Sequence, residues 1–456
     1  MASAANRREN HMSYIPHTDA DITEMLGVIG VKTIEDLFPD VPEDIRFPEL
    51  DLPVGLTQME AAAALEELAE VNLPGGKTAM FLGAGAYNHY SPPVVNHTIL
   101  RGEFLTAYTP YQPEVSQGTL QAVFEYQSMI CALTGMEVAN ASHYDGATSL
   151  AEAAILALNT RTKRKKLVLS PSVNPMYREV VRTYTQGMNL TIVGDDDSQV
   201  DLNKVAGLLD DNTAMVAIQY PNFFGQIEEI ANLISAAHKL DVLVAVVTDP
   251  TALGLLKPPG WMGADIVVGE GQSLGIPMGY GGPYLGFFAT REEFVRKMAG
   301  RLVGETVDVN GNPGYVLTLA TREQHIRRER ATSNICTNQG LMALAATVYM
   351  SAMGKHGLRR VAELCWHKAH YAADEIDKIE GFSVDRSKPF FLEFVVNCPR
   401  PVAEINQFLL DEYEIIGGYD LSRVYPDRNN QMLIAVTEMN TRDQIDALVE
   451  ALSEAE

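Results

Sequence analysis

A run of small and polar residues, YDGATS at positions 144–149, stands directly before an alanine-rich stretch and could bind an anion. The first N–H groups of a helix have no partner inside the helix and carry partial positive charge, which attracts phosphate. Gly146 would let a ligand approach the backbone, while the hydroxyls of Thr148 and Ser149 could cap the helix or donate to the ligand. The same residues also suit an ordinary helix cap, because every helix needs one.

An acid at the end of an apolar strand is the second candidate. Residues 244–247 are apolar and lead to Asp249, which is followed by Pro250 and Thr251. An aspartate at the carboxyl end of a strand can keep the ring nitrogen of an aromatic cofactor protonated. Asp249 could equally cap the turn that begins at Pro250.

The next strand and turn indicate which cofactor to expect. Residues 264–277 read ADIVVGEGQSLGIP and lead to the glycine-rich MGYGGP at 278–283. This order, after a phosphate-type helix start and a strand-end aspartate, resembles that of pyridoxal-phosphate enzymes of the aspartate aminotransferase fold (fold type I). That fold places its Schiff-base lysine directly after the strand at 267–268, yet no lysine lies between Lys257 and Lys297. Lys257 precedes two prolines upstream of that strand, so we expect it to have a structural or interface role.

Alternating short strands and helices must position these residues. The pattern predicts a mainly parallel sheet covered by helices, and ligands of such sheets bind outside the carboxyl ends of the strands. The predicted helices are 121–133, 149–159, 177–186, 201–209 and 230–240. The predicted strands are 137–139, 167–169, 190–193, 215–219, 243–247, 267–268 and 285–289.

The chain is long enough for several domains. Residues 1–75 are predicted to form an N-terminal helical arm, with a helix start at Thr18 capped through Asp21 and a second helix over 59–71. Within it, residues 1–11 are expected to be a leader or tag before a natural start at Met12. The other predicted domains are a large α/β domain over 76–300, an irregular segment with a connecting helix over 301–355, and a small α+β domain over 356–456. The helices expected in these later segments are 339–353, 358–379, 403–410 and 442–452, and the strands are 391–396 and 432–436.

Composition excludes several classes of function. The chain of 456 residues has a net charge of −24, so it would repel the phosphates of a nucleic acid. It has no secretory signal and no apolar run long enough to cross a bilayer. Its four cysteines show no CxxC or metal-ligand spacing, which predicts a reducing cytoplasm, no disulfide framework and no metal site.

A stretch rich in tyrosine, proline and glycine, at residues 77–120, interrupts the regular pattern. Long irregular loops inside compact enzymes usually have a function. The alternative is an arm that only packs on a neighbouring subunit.

Four longer motifs carry a specific resemblance. They are YTPYQPEVSQG at 108–118, LKPPG at 256–260, TREQHIRRE at 321–329 and ATSNICT at 331–337. With them the chain resembles the glycine decarboxylase (P-protein) family of the glycine cleavage system, from about Tyr14 to the C-terminus. In that family some organisms have one long chain with two similar halves, and others have separate alpha and beta subunits. The length here matches an alpha subunit.

The resemblance implies that this chain lacks the catalytic lysine. The beta half carries that lysine shortly before an Ile-Pro and a glycine run, and matching these to Ile276, Pro277 and residues 279–283 puts Gln272 at the lysine position. An amide cannot form an imine. We therefore expect the chain to be inactive alone, to bind no cofactor covalently, and to leave pyridoxal phosphate to the beta subunit. The expected degenerate cofactor pocket comprises Gly146, Ala147, Thr148, Asp249 and Gln272.

The resemblance also implies a reaction and partners. With the beta subunit (subunit 2), the chain would decarboxylate glycine and pass the aminomethyl group to the lipoyl arm of H-protein, in a tetramer of two alpha and two beta chains. Seven residues could contact the partner's site or the substrate, or only stabilise the interface: Tyr108, Tyr111, Glu114, Ser116, Thr332, Ser333 and Asn334. Four basic residues could attract an acidic carrier or pair internally with Glu323 and Glu329: Arg322, Arg327, Arg328 and Arg330.

Two rival interpretations stay open. A complete pyridoxal-phosphate enzyme that acts alone would need a lysine after residue 268, which the chain lacks. A non-catalytic scaffold or regulatory subunit could instead retain a degenerate pyridoxal-phosphate fold as an interaction surface.

Overall fold

The computed structural model describes residues 16–46, 48, 51–75, 78–197, 201–336 and 339–455. The expected leader and the start at Met12 lie outside the described residues. The chain divides into two compact units, residues 1–72 and residues 73–456. The finer domain boundaries stay predictions.

The first unit contains helices α1 (Asp19–Ile29) and α2 (Gln58–Glu70). The predicted start of α1 is confirmed, because the Thr18 hydroxyl accepts from the Asp21 N–H while the Asp21 carboxylate accepts from the Thr18 N–H at 2.7 Å. This reciprocal cap satisfies donors that a helix start would otherwise leave without partners.

The second unit contains the remaining helices and all the strands of the described chain. The helices are α3 (Pro93–Ile99), α4 (Gly102–Leu105), α5 (Gln117–Thr134), α6 (Gly146–Thr160), α7 (Pro175–Thr185), α8 (Leu202–Gly207), α9 (Ala231–Lys239), α10 (Gln324–Arg327), α11 (Gly340–Ile376), α12 (Val402–Tyr413) and α13 (Arg442–Glu454). The strands are β1 (Val138–Ala139), β2 (Lys166–Leu169), β3 (Thr191–Val193), β4 (Thr213–Gln219), β5 (Leu243–Val247), β6 (Ile266–Glu270), β7 (Gly286–Thr290), β8 (Leu302–Val307), β9 (Pro313–Thr318), β10 (Ser383–Val384), β11 (Glu393–Asn397), β12 (Tyr419–Asp420) and β13 (Gln431–Ala435).

The large sheet has the order β1-β7-β6-β5-β4-β2-β3. Strands β2 to β6 pair in parallel, and β7 is antiparallel to both of its neighbours. Alternate side chains enter two cores, so Val168 faces the core that contains α5 and α9, while Leu167 and Leu169 face the core of α6 and α7. The expected α/β fold with a mainly parallel sheet is confirmed.

A smaller antiparallel sheet, in the order β10-β11-β13-β12, packs against α12, α13 and the second half of α11. Helix α11 spans the two regions that were predicted as separate helices. Gly354, at φ 57°, bends it at the junction between them, a backbone angle that favours glycine.

The segment after residue 300 differs from the expectation of irregular structure. Strands β8 and β9 form a regular hairpin, with Leu302 opposite Thr318 and Val307 opposite Pro313. Its turn is held by the Asp308 carboxylate, which accepts from the N–H groups of Asn310 and Asn312. An Asn-Gly turn between two short apolar runs is a hairpin signal, and the basic residues further along obscured it. Among the described helices, none is both long enough and apolar enough to cross a membrane.

Candidate functional site

Two regions of the second unit hold the residues that the sequence singled out. The first, called here the closed pocket because side chains of the chain itself fill most of it, lies at the carboxyl ends of β5 and β6 and leaves about 40 Å³ free. Seven of the residues that line it are Tyr87, Asn174, Tyr177, Gln219, Asp249, Glu270 and Gln272. The second, called here the open cavity because it leaves about 460 Å³ free, lies beside the end of α4 and the loop that follows it to residue 110.

Gln272 follows β6 directly, where a Schiff-base lysine was expected, and its side chain is fully engaged. Its Nε2 donates to the carbonyls of Tyr87 at 2.9 Å and Ile276 at 2.7 Å, and its Oε1 accepts from the Tyr87 N–H at 3.0 Å. The residue is 1% exposed. Because a lysine has no acceptor, it could not reproduce this bridge. Gln272 therefore ties the segment of Tyr87 to the end of the large sheet.

The start of α6 differs in detail from the prediction. The helix begins at Gly146, and its cap is Asp145, whose carboxylate accepts from the Thr148 N–H at 2.7 Å. The hydroxyls of Thr148 and Ser149 donate to the Asp145 carbonyl at 3.0 and 2.8 Å. The Thr148 hydroxyl also accepts from the Asp145 N–H at 3.2 Å, so it completes a reciprocal cap as expected. The Ser149 hydroxyl bonds only to the helix backbone.

Glu270, at the end of β6, is a pocket residue that the sequence analysis did not single out. Its carboxyl group accepts from three backbone N–H groups, those of Gly146 at 3.0 Å, Gln272 at 3.0 Å and Leu285 at 2.9 Å. Removal from water raises the pKa of Glu270 to about 8. The sequence did contain a signal for this role. Glu270 lies two residues before the expected lysine position, and a pocket that binds phosphate should have no negatively charged side chain there.

Two further acids lie in the closed pocket or next to it. Asp249 lines it, as expected, and also acts as a turn cap by accepting from the Thr251 N–H at 2.9 Å. Glu393 of β11 accepts from the Tyr87 hydroxyl at 2.8 Å and from the Ala84 N–H at 2.7 Å. Burial raises the pKa of Asp249, and it raises the pKa of Glu393 to about 7.

The residues of the closed pocket do not fit pyridoxal phosphate. Ligand pockets usually enclose about 300–1,000 Å³, whereas a space of about 40 Å³ holds a few waters at most. Among the described residues that line it, none is a lysine or an arginine, while Asp249 and Glu270 are acids. A phosphate ester would lose its hydration there without gaining a cation.

The open cavity has mainly apolar walls. They come from the end of α4 and the loop after it, from α5, from the β8–β9 hairpin and from the start of α11. Tyr108 stands at its rim with 86% of its surface exposed. A concave apolar surface beside an exposed aromatic ring is typical of a binding or interface region.

Arg301 is the one charged residue that lines the open cavity in the described chain, and it holds the surrounding segments together. One of its terminal nitrogens lies 2.7 Å from the Tyr111 hydroxyl and 2.9 Å from the Glu323 carboxylate, and the other lies 3.5 Å from the Cys336 sulfur. Its Nε is buried and has no hydrogen-bond partner among the described residues. The sequence analysis did not predict this role, because the partners lie far apart in the chain.

Most of the other predicted contact residues lie at the surface. Glu114 is exposed in a short turn, and the partly buried Ser116 precedes α5. Thr332 and Asn334 are exposed, whereas the Ser333 hydroxyl donates to Glu152 at 2.5 Å. Arg301 and its neighbours thus bring Tyr111 near the segment that contains residues 332–336, and the closed pocket forms a separate group.

The basic residues behave differently from one another. The Arg322 guanidinium donates to the carbonyls of Leu319, Val295, Met298 and Gly300, so its charge is held by the backbone rather than by Glu323. Arg330 and Glu329, both exposed, are 3.9 Å apart, which contributes little to stability. Arg327 and Arg328 form no ion pair within the described chain.

Comparisons with known proteins agree with this architecture. The family model for the glycine cleavage system P-protein matches residues 12–452. A probable glycine dehydrogenase (decarboxylating) subunit 1 of Thermomicrobium roseum is 55% identical over 97% of this chain and 100% of its own length. A protein of the same description from Bacillus cereus is 51% identical over 96% of this chain and 98% of its own length.

Solved structures support the same assignment. A crystal structure of glycine decarboxylase (P-protein) of the glycine cleavage system, in inhibitor-bound form, matches with a TM-score of 0.89 at 44% identity, over 98% of this chain and 100% of that one. A sphingosine-1-phosphate lyase of Burkholderia pseudomallei, at 17% identity and a TM-score of 0.63 over 91% of this chain and 94% of its own, shares the fold alone, which is fold type I of the pyridoxal-phosphate enzymes. With a family model covering nearly its whole length and relatives above half identity, the chain belongs to the glycine cleavage system P-protein family, among the relatives described as subunit 1.

Proposed function

We propose that this chain is the alpha subunit of a two-subunit glycine decarboxylase that works in the cytoplasm. With a beta subunit (subunit 2), it decarboxylates glycine and transfers the aminomethyl group to the lipoyl arm of H-protein. The assignment of the catalytic lysine to the beta subunit rests on Gln272. Its buried amide forms hydrogen bonds through both polar atoms, at the position where a catalytic lysine would be required.

The cofactor belongs to the beta subunit in this proposal. Pyridoxal phosphate, when bound there, supplies an electron sink for the carbanion that remains after carbon dioxide departs. The closed pocket supports this placement because it has neither the volume nor the cations that the cofactor needs. No step of the reaction takes place in the pocket of this chain.

The contribution of this chain is the surface around the open cavity. Tyr108, Tyr111, Glu114 and Ser116 contact the beta subunit's site or its substrate, and Arg301 fixes the Tyr111 ring through its hydroxyl. Thr332 and Asn334 add exposed polar groups beside them. Ser333 holds this segment to α6 through Glu152 rather than reaching outward.

The carrier protein meets basic residues of the segment that follows the β8–β9 hairpin. Arg327 and Arg328 are exposed, and their charges are not neutralised by an ion pair within the described chain. Such charges accelerate the approach of an acidic partner without adding much to its final affinity.

The test is glycine-dependent exchange of carbon dioxide with lipoylated H-protein, measured for this chain, for the beta subunit and for their mixture. We expect activity from the mixture alone, in a tetramer of two alpha and two beta chains by light scattering. Activity of this chain alone would overturn the proposal.

The closed pocket also favours a second candidate, a scaffold or regulatory subunit that takes no part in the partner's site. The two candidates differ in the effect of Tyr108→Ala in the assembled complex. A scaffold would tolerate this change once assembly is intact, whereas a subunit that completes the site would lose turnover.

A further inference from the structure

The start of α6 has the features of a phosphate site, yet the chain itself fills it. The helix has 15 residues, so its first turn carries the partial positive charge of a regular helix. The Gly146 N–H points outward from this turn, and its partner is the Glu270 carboxyl group at 3.0 Å. An oxygen of the protein therefore lies where a ligand phosphate would be accepted.

The other donors around Glu270 complete this arrangement. The N–H groups of Gln272 and Leu285 converge on the same carboxyl group at 3.0 and 2.9 Å. They belong to the turn after β6 and to the residue before β7, so three separate backbone segments meet at one side chain. Three convergent backbone N–H groups, one of them at a helix start, form the kind of concave anion site that usually holds a phosphate.

The space above the helix start is filled as well. A Cβ at Gly146 would collide with the Tyr177 hydroxyl, so the glycine permits the close approach of that ring. The glycine that was expected to admit a ligand thus admits a side chain of the same protein. This packing leaves only about 40 Å³ in the closed pocket, which is no room for a phosphate group at the start of α6.

We propose that the Glu270 carboxyl group is a built-in replacement for a ligand phosphate, which joins α6, β6 and β7 and closes the pocket to phosphate-bearing ligands. The inference concerns this chain alone and does not depend on what the partner catalyses. It predicts that the anion site persists beneath the side chain and that removing the carboxyl group exposes it.

The test compares the full-length chain with Glu270→Ala, using inorganic phosphate as the probe. Added phosphate of about 50 mM, at ionic strength matched with chloride, should raise the melting temperature of Glu270→Ala by about 2 °C or more, because a ligand that binds the folded state stabilises it. Wild type should show no phosphate-dependent shift. Glu393→Gln is the matched control, since it removes an acid of the same region that does not contact α6, and it should behave like wild type.

The proposal is overturned if folded Glu270→Ala responds to phosphate no more than wild type does. It is also overturned if Glu393→Gln gains the same response, because the effect would then reflect charge alone. A second measurement needs no variant. Equilibrium dialysis of the wild-type chain against pyridoxal phosphate should show no binding at about millimolar concentration, which is about a thousand times the dissociation constant of a micromolar site. Saturable binding of the cofactor to the wild-type chain would sink the proposal even if Glu270→Ala did not fold.

Discussion

The closed pocket and the open cavity lie in the same unit and differ in how their polar groups are satisfied. In the closed pocket, Gln272 and Glu270 bond to backbone groups of their own chain, and only about 40 Å³ remain. In the open cavity, about 460 Å³ remain, Tyr108 is 86% exposed and the buried Nε of Arg301 has no partner in the described chain. The closed pocket is thus part of the framework of the fold, whereas the open cavity presents an apolar surface and an exposed aromatic ring.

This contrast separates stability from activity. A buried polar group that loses its partner costs the full desolvation free energy, whereas an exposed side chain contributes little to folding. Substitutions in the closed pocket should therefore lower the free energy of unfolding. Substitutions at the rim of the open cavity should lower the activity of the assembled complex.

The largest effect is expected for Gln272→Met, which keeps the length of the side chain and removes the amide. The N–H and carbonyl of Tyr87 and the carbonyl of Ile276 would lose their partners, and the free energy of unfolding should fall by about 4 kcal/mol. Urea denaturation of the full chain measures this. The exposed Gln407→Met in α12 is the control and should change stability by less than about 0.5 kcal/mol. An equally small change for Gln272→Met would contradict the framework role.

A pH-dependent loss of stability is expected from Glu393. Its pKa lies at about 7 in the folded protein and near 4.5 when unfolded, so the folded state holds the proton more tightly. The contribution of Glu393 to the free energy of unfolding is therefore greatest below pH 4.5. It falls by up to about 3 kcal/mol as the pH rises to about 7 and is constant at higher pH. Glu393→Gln should flatten the urea midpoint over this range. The exposed Glu404→Gln should leave the slope unchanged, and an unchanged slope in Glu393→Gln would refute the assignment.

Tyr108→Ala should affect activity and not folding. The side chain is 86% exposed, so the free energy of unfolding should change by less than about 0.5 kcal/mol. Turnover of the assembled complex should fall by about tenfold, which corresponds to about 1.4 kcal/mol of transition-state stabilisation. The fully exposed Tyr280→Ala serves as the control for loss of a surface tyrosine. Unchanged turnover with intact assembly would favour the scaffold candidate.

The smallest effect is expected for Ser333→Ala. The hydroxyl donates to Glu152, whose pKa is raised to about 7 by burial. Losing this bond should cost about 1 kcal/mol of stability, measured by urea denaturation, with turnover of the complex retained. Ser453→Ala, near the C-terminus, is the control. A loss of turnover without a loss of stability would show that Ser333 faces the partner after all.

Sequence reasoning predicted the elements that local patterns determine. The apolar runs of β2 and β4 to β6 and the reciprocal cap at Thr18 follow from spacing within a few residues. The expectation that Gln272 replaces a lysine came from the family resemblance. The closure of the pocket could not be predicted in this way. It depends on Tyr177 and Glu270 meeting the start of α6 in space, although the two residues are far apart in the chain.

The open cavity was predicted only in part. The tyrosine and proline loop was recognised from its composition, yet Arg301, which organises the cavity, carries no local signal. Its partners Tyr111 and Glu323 come from opposite sides of it in the sequence and meet only when the β8–β9 hairpin brings the segments together. Because the hairpin was expected to be irregular, the sequence pattern could not predict the contacts of Arg301 with Tyr111 and Glu323.

The most direct test of the central claim is to locate the cofactor in the complex assembled from this chain and the beta subunit. Borohydride reduction would fix any lysine-bound pyridoxal phosphate, and mass spectrometry of the peptides would identify the chain that carries it. We expect one cofactor for each pair of chains and an adduct on the beta subunit alone. Two cofactors for each pair, or an adduct on a lysine of this chain such as Lys257, would contradict it.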